Sequence, residues 1–294
     1  MSPKNFVAYL QERFPPVNML LFTILFFTVY SVSSLSPAAE HLHGLAWGGV
    51  VAVISFFFRL RVFDEIKDYQ IDTINHPQRV LQSGRVTLRQ LIVVALVGTA
   101  VELVWSVAMG PAALVAWLAA VGYSLLMRYE FFVGRWLRKH LLLYAISHML
   151  IMPLVIVWIW RAFNPALTHG LGLLAALSLL AGFAFEVARK IHAPAAERST
   201  VDSYSKAIGY RGSIALALLL LLAGTGVQGQ LLLTVAARPA AFVVLGGSFL
   251  VTLVVYAIAL KGPREALLRR AELGVSLFML ISYLTIIVEA NLRP

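Results

Sequence analysis

Cysteine is absent from the 294 residues, which excludes disulfides, thiolate metal sites and a cysteine nucleophile. Charge is scarce too: Asp, Glu, Lys and Arg make up 13% of the chain, against about a quarter in soluble globular domains. No glycine-rich nucleotide loop, serine-hydrolase elbow or histidine-rich zinc pattern occurs. What fills the chain instead is apolar. Hydrophobic residues make up 60% of it and the mean hydropathy is +0.83, as in an integral membrane protein. The net charge of +10 would suggest nucleic acid in a soluble chain. Here it fits basic loops against anionic lipid headgroups, and no nucleic-acid role is expected.

Apolar runs long enough to cross a bilayer lie at roughly 17–36, 44–63, 89–109, 111–127, 140–160, 167–186, 212–235, 238–260 and 271–290. They predict an all-α, polytopic bundle of nine transmembrane helices forming one domain over 1–294. Continuous runs of this length exclude a barrel, whose strands alternate in shorter pieces. Gly110-Pro111 and Arg238-Pro239 mark tight turns. Ser36, Pro37, Ala38 and Ala39 could end a signal peptide, but the run before them is longer than a signal core, and a retained helix is expected. With the N-terminus inside, every Lys and Arg except Arg161, Arg238 and Arg293 falls on the cytoplasmic side, as the positive-inside rule requires. The long polar loops after the second and sixth spans share that side. The expected location is therefore a membrane (the inner or plasma membrane if the chain is bacterial), with any chemistry facing the cytoplasm.

The first polar stretch is FDEIKDYQIDTINHPQRVLQSGRV, Phe63 to Val86. Asp64, Asp68 and Asp72 are spaced by four and share one helix face, and Glu65 sits one residue off that stripe. Carboxylates stacked so closely repel unless a hard cation lies between them. Mg²⁺ suits this, taking one or two carboxylates and completing its shell with water and phosphate oxygens. A solvated helix end with Lys67 as partial counter-charge is the plainer alternative. The residues that follow, Asn75 to Val86 with Arg79, Ser83 and Arg85, form a basic and hydroxyl-bearing loop able to cradle a diphosphate.

This combination resembles the UbiA superfamily of intramembrane prenyltransferases over essentially the whole chain. Their Asn-Asp-x-x-Asp-x-x-x-Asp run aligns with Asp64, Glu65, Asp68 and Asp72, and their following loop with Gln78 to Val86. Tyr123 to Arg128 (YSLLMR) is similar to the family's Tyr-x-x-x-Lys-Arg. After the sixth span the family carries a second Asp-rich run and then Thr-Leu-x-x-x-x-Gly. The tail from Thr200 to Gly209 is recognisable, but Glu186 alone stands for an acid, Lys190 falls where the second should be, and Arg189 adds further positive charge.

The resemblance implies Mg²⁺-dependent transfer of a prenyl group from a prenyl diphosphate to a lipophilic, often aromatic, acceptor within the membrane. It implies metal ligands among Asp64, Glu65, Asp68, Asp72 and Glu186. It implies diphosphate contacts from Arg79, Ser83, Tyr123, Arg128, Arg189, Lys190 and Lys206, with Asp64, Asp68, Asp72, Arg128 and Lys190 central to catalysis. The altered second motif admits a one-metal site in which Arg189 and Lys190 supply the missing positive charge; positive-inside anchoring explains the same residues equally well. It also leaves open an altered or lost activity, such as terpene cyclisation or phosphoribosyl transfer to a lipid phosphate on the same scaffold. A transporter or lipid-binding protein is the non-enzymatic alternative; it would more often show internal repeats and midplane charge.

Further polar or aromatic candidates are Glu102 and His148 inside spans, the segment Glu130–Lys139, and Phe56, Phe57 and Phe58 as tunnel wall or lipid face.

Overall fold

A computed structural model describes residues 2–35, 43–198 and 202–292. Ser36 to Ala39, Thr200 and Arg293 lie outside the described residues. Among those described, nine helices are long and apolar enough to cross a membrane, and no strand occurs. In chain order the helices are α1 (Pro3–Arg13), α2 (Pro16–Ser33), α3 (His43–Asn75), α4 (Leu88–Ala108), α5 (Pro111–Arg128), α6 (Gly134–Leu137) and α7 (Leu141–Met149). They continue as α8 (Ile151–Phe163), α9 (His169–Arg189), α10 (Tyr204–Ile208), α11 (Tyr210–Thr234), α12 (Pro239–Lys261) and α13 (Glu265–Asn291). The fifth span is α7 and α8 together; α1, α6 and α10 are short additions.

Local chemistry sets the helix starts. Pro stands at the first position of α2, α5 and α12, where the missing N–H costs nothing. Gly110, at φ +104°, turns the chain into α5 in a conformation that disfavours any side chain. Thr87 and Gln90 close a reciprocal capping box at α4.

The spans pack as a ring in sequence order. α3 lies on α4, α4 on α5, α5 on α8, α8 on α9, α9 on α11, α11 on α12, α12 on α13, and α13 returns to α2. α2 also touches α8 and α9, so the interior is dense there: Trp158, Trp160, Phe26 and Phe163 are fully buried. α3 approaches so closely that a Cβ at Gly49 would meet Phe26 and Trp105 side-chain atoms at 2.5 Å. A polar knot lies inside the bundle. Arg59 on α3 reaches Glu102 on α4 at 2.9 Å and the Ser124 hydroxyl on α5 at 3.0 Å, and Trp117 donates to Glu102 at 2.9 Å. Arg59, expected among the cytoplasmic charges, thus lies inside the bundle, where pairing makes charges tolerable.

Two features shape the site. α3 runs on past its apolar stretch to Asn75, so its acidic face is the same continuous helix as the span. The fifth span breaks at Leu150, between α7 and α8. Pro153 explains the break: it has no N–H for the carbonyl of Met149, and its ring crowds that carbonyl.

Candidate active site

The ends of α3, α5 and α9 and the α7–α8 break enclose a cavity of about 490 Å³. Its floor is apolar, with Phe57, Phe63, Met127, Met149 and Met152; its rim is charged, with Asp64, Lys67, Asp68, Arg128, Glu186, Arg189 and Lys190. A second hollow of about 460 Å³ shares Lys67, Asp68, Tyr144 and Lys190 and adds Glu130, Arg138 and Asp202. It forms an outer vestibule to the first.

The four acids of α3 have separate fates. Asp64 has one partner, Lys67 at 3.7 Å, and Asp68 makes no hydrogen bond or ion pair among the described residues. Both line the cavity. Glu65 does not. Its side chain is fully buried, and its Oε1 accepts from Arg13 at 2.7 Å, from Arg61 at 2.9 and 3.0 Å and from Tyr9 at 3.5 Å. Its Oε2 is buried without a partner. One residue along a helix is a rotation of about 100°, which turns Glu65 away from Asp64 and Asp68 and towards α1. Asp72 also lies off the cavity, bound to Arg79 at 2.7 Å with Arg13 at 3.5 Å.

The α9 side is basic. Glu186 gives one oxygen to Arg189 at 2.6 Å and the other to Lys190 at 2.8 Å, so its charge is spent on its own neighbours. Arg128 lies 5.2 Å from the Phe63 ring and 5.4 Å from the Tyr129 ring, and its cation is open to the cavity. The remaining expected residues stand elsewhere. Tyr123 donates to the Ser147 carbonyl at 2.7 Å, and the Ser83 hydroxyl to that of Val80 at 3.3 Å. Lys206 sits on α10 with its ammonium on the Arg198 carbonyl. Arg79 is taken by Asp72. The structure thus brings Asp64, Asp68, Arg128, Glu186, Arg189 and Lys190 together, and leaves Glu65, Asp72, Arg79, Ser83, Tyr123 and Lys206 outside the cavity.

Sequence reasoning gave Lys67 only the part of a counter-charge and did not single out Tyr144. Lys67 bonds the Tyr144 hydroxyl at 3.1 Å, and both line the cavity. The signal for Lys67 was present, since it lies between Asp64 and Asp68 on one helix. Tyr144, distant in sequence, carried none. His148 lines the same cavity, with Nδ1 fixed at 2.8 Å on the Tyr144 carbonyl and its ring stacked on Tyr144 at 4.0 Å.

The fit to a divalent cation can be judged from the donor set. No group of three or more His, Cys, Asp or Glu side chains is gathered for a metal among the described residues. Asp64 and Asp68, one helical turn apart and uncommitted apart from Lys67, match Mg²⁺, which needs one or two carboxylates when phosphate oxygens complete its shell.

The family model of the UbiA prenyltransferase family matches residues 18–281. No curated protein matches the chain. Among solved structures, a digeranylgeranylglyceryl phosphate synthase is similar at 17% identity and TM-score 0.71, covering 98% of this chain and 99% of that one. An apo UbiA homologue from Aeropyrum pernix K1 is similar at 19% identity and TM-score 0.68, over 91% and 96%. A UbiA homologue from Archaeoglobus fulgidus bound to GPP and Mg²⁺ is similar at 12% identity and TM-score 0.58, over 95% and 99%. At these identities the likeness is one of fold.

Proposed function

The chain belongs to the UbiA prenyltransferase family, and from that premise we propose that it moves a prenyl group from a prenyl diphosphate to a lipophilic acceptor, aromatic ones included, in the cavity at the end of α3. The observation that carries this reading is the division of one cavity between two carboxylates, Asp64 with Lys67 as its one partner and Asp68 with none among the described residues, and a basic rim of Arg128, Arg189 and Lys190 over an apolar floor. A homologue of the same fold bound to GPP and Mg²⁺ supports it.

Asp64 and Asp68 would hold Mg²⁺, which supplies positive charge to a leaving diphosphate. Arg128, Arg189 and Lys190 donate hydrogen bonds to the phosphate oxygens and stabilise the charge that grows as the carbon–oxygen bond breaks. Phe57, Phe63, Met149 and Met152 form the apolar lining into which the isoprenoid would extend, keeping water from the allylic cation until the acceptor arrives. The distribution of Lys and Arg supports a cytoplasmic position for this mouth.

The test is diphosphate release from geranylgeranyl diphosphate by the detergent-solubilised protein, with Mg²⁺ and with a chelator. Wild type is expected to release diphosphate only with Mg²⁺, and Asp68→Asn to fail. Folded wild type that releases none from any prenyl diphosphate contradicts the reading.

A further inference from the structure

Helix α1, Pro3–Arg13, lies before the segment matched by the family model, which begins at residue 18. It is nonetheless bound tightly to the mouth of α3. Ser2 caps it through the Asn5 N–H, and Phe6, Tyr9 and Phe14 set their rings edge-on to Phe58 of α3, at 6.2, 6.4 and 5.5 Å. At its polar end Arg13 spans Glu65 and Asp72. Glu12 accepts from the Val80 N–H at 3.0 Å and Asn5 donates to the Arg85 carbonyl at 2.9 Å, so the same helix ties down the loop after α3. Burial opposes the charge on Arg13, yet the bond to Glu65 and the charges of Glu65 and Asp72 push its guanidinium above the ordinary value. The Tyr9 hydroxyl is pushed up by burial and by Glu65.

We propose that α1 is a positioning element of the donor site: Arg13 withdraws Glu65 and Asp72 from cation binding, so that a single divalent ion is held by Asp64 and Asp68. The inference rests on the reading of the cavity given above. Three observations support it. Glu65 is sealed away from the cavity, with one oxygen shared by three donors. Asp72 is bound by two arginines. On the α9 side, Glu186 is taken by Arg189 and Lys190, and Asp202 lies outside the cavity, in the outer vestibule. The charge that a second ion would bring to a diphosphate is already fixed in place as Arg189 and Lys190.

The experiment counts Mn²⁺, a paramagnetic stand-in for Mg²⁺, by electron paramagnetic resonance on the full-length detergent-solubilised protein with inorganic diphosphate. Wild type is expected to bind one ion per chain. Asp68→Asn should weaken binding by about tenfold or more, the equivalent of about 1.4 kcal/mol, whereas Glu65→Gln, which removes a nearby charge but no ligand, should weaken it by about threefold at most. Arg13→Gln removes a nearby positive charge, so Mn²⁺ should bind about threefold tighter by the same conversion, and Arg13→Lys should return it to the wild-type value. A role for Arg13 in orienting Glu65 as a ligand requires the opposite sign. Melting temperatures identify any variant that fails to fold; should Arg13→Gln fail, Glu65→Gln against Asp68→Asn decides. Two ions in wild type, none in wild type, or a loss on Glu65→Gln equal to that of Asp68→Asn overturns the proposal. Wild type that binds one ion as stated but releases no diphosphate from any prenyl donor would remove the prenyl reading and leave this one standing.

Discussion

At the mouth of α3, four acids share a short stretch of helix, and arginines from the same helix, from α1 and from the following loop take two of them. At the mouth of α9, Glu186 is taken by the two basic residues that follow it. The first mouth therefore shows the cavity two available carboxylates, and the second shows it a guanidinium and an ammonium. Counting acids would give the two ends different strengths of one property. Tracing each acid to its partners gives them different properties, one suited to a cation and the other to an anion. A Mg²⁺–diphosphate pair needs both.

The comparison breaks most completely if the α3 side is disarmed. Asp68→Asn removes the carboxylate that has no partner among the described residues, and Mg²⁺-dependent diphosphate release should fall at least about a hundredfold, or about 2.7 kcal/mol at 1.36 kcal/mol per decade. Steady-state release at saturating donor checks this. Neutralising the α9 side should do less, because Arg128 and Arg189 remain. For Lys190→Gln we expect diphosphate affinity to drop about tenfold, close to 1.4 kcal/mol, with the response to Mg²⁺ retained; calorimetric titration with inorganic diphosphate measures it. The smallest effect has the opposite sign. Glu186→Gln frees Arg189 and Lys190 from their carboxylate, and the same titration should show about threefold tighter binding, roughly 0.6 kcal/mol. A weaker affinity there would show that Glu186 serves the site as an acid.

The spans were legible because twenty-odd apolar residues in a row leave few alternatives, and the broken fifth span still reads as one because α7 and α8 are both apolar. The expected limits missed the polar ends: the apolar run stops near Phe63, but α3 continues to Asn75, since helix and hydropathy need not end together. In the site, the four-residue spacing of Asp64 and Asp68 was enough to put both on one face. The fate of Glu65 was not legible. It depends on Arg13, 52 residues earlier in the chain, and on which side of α3 the amphipathic α1 docks. The same holds for Tyr123, whose hydroxyl finds a carbonyl on the fifth span rather than the cavity. Local spacing fixes which residues share a face; long-range pairing decides which of them stay available.

The division between the two mouths is tested most directly by titrating inorganic diphosphate into wild type, Asp68→Asn and Lys190→Gln, each with Mg²⁺ and with a chelator. The account predicts that Asp68→Asn keeps the metal-free affinity and loses its enhancement by Mg²⁺, while Lys190→Gln loses metal-free affinity and keeps the enhancement. If Asp68→Asn retains the Mg²⁺ enhancement, or Lys190→Gln abolishes it, the two mouths do not divide the work and the account is contradicted.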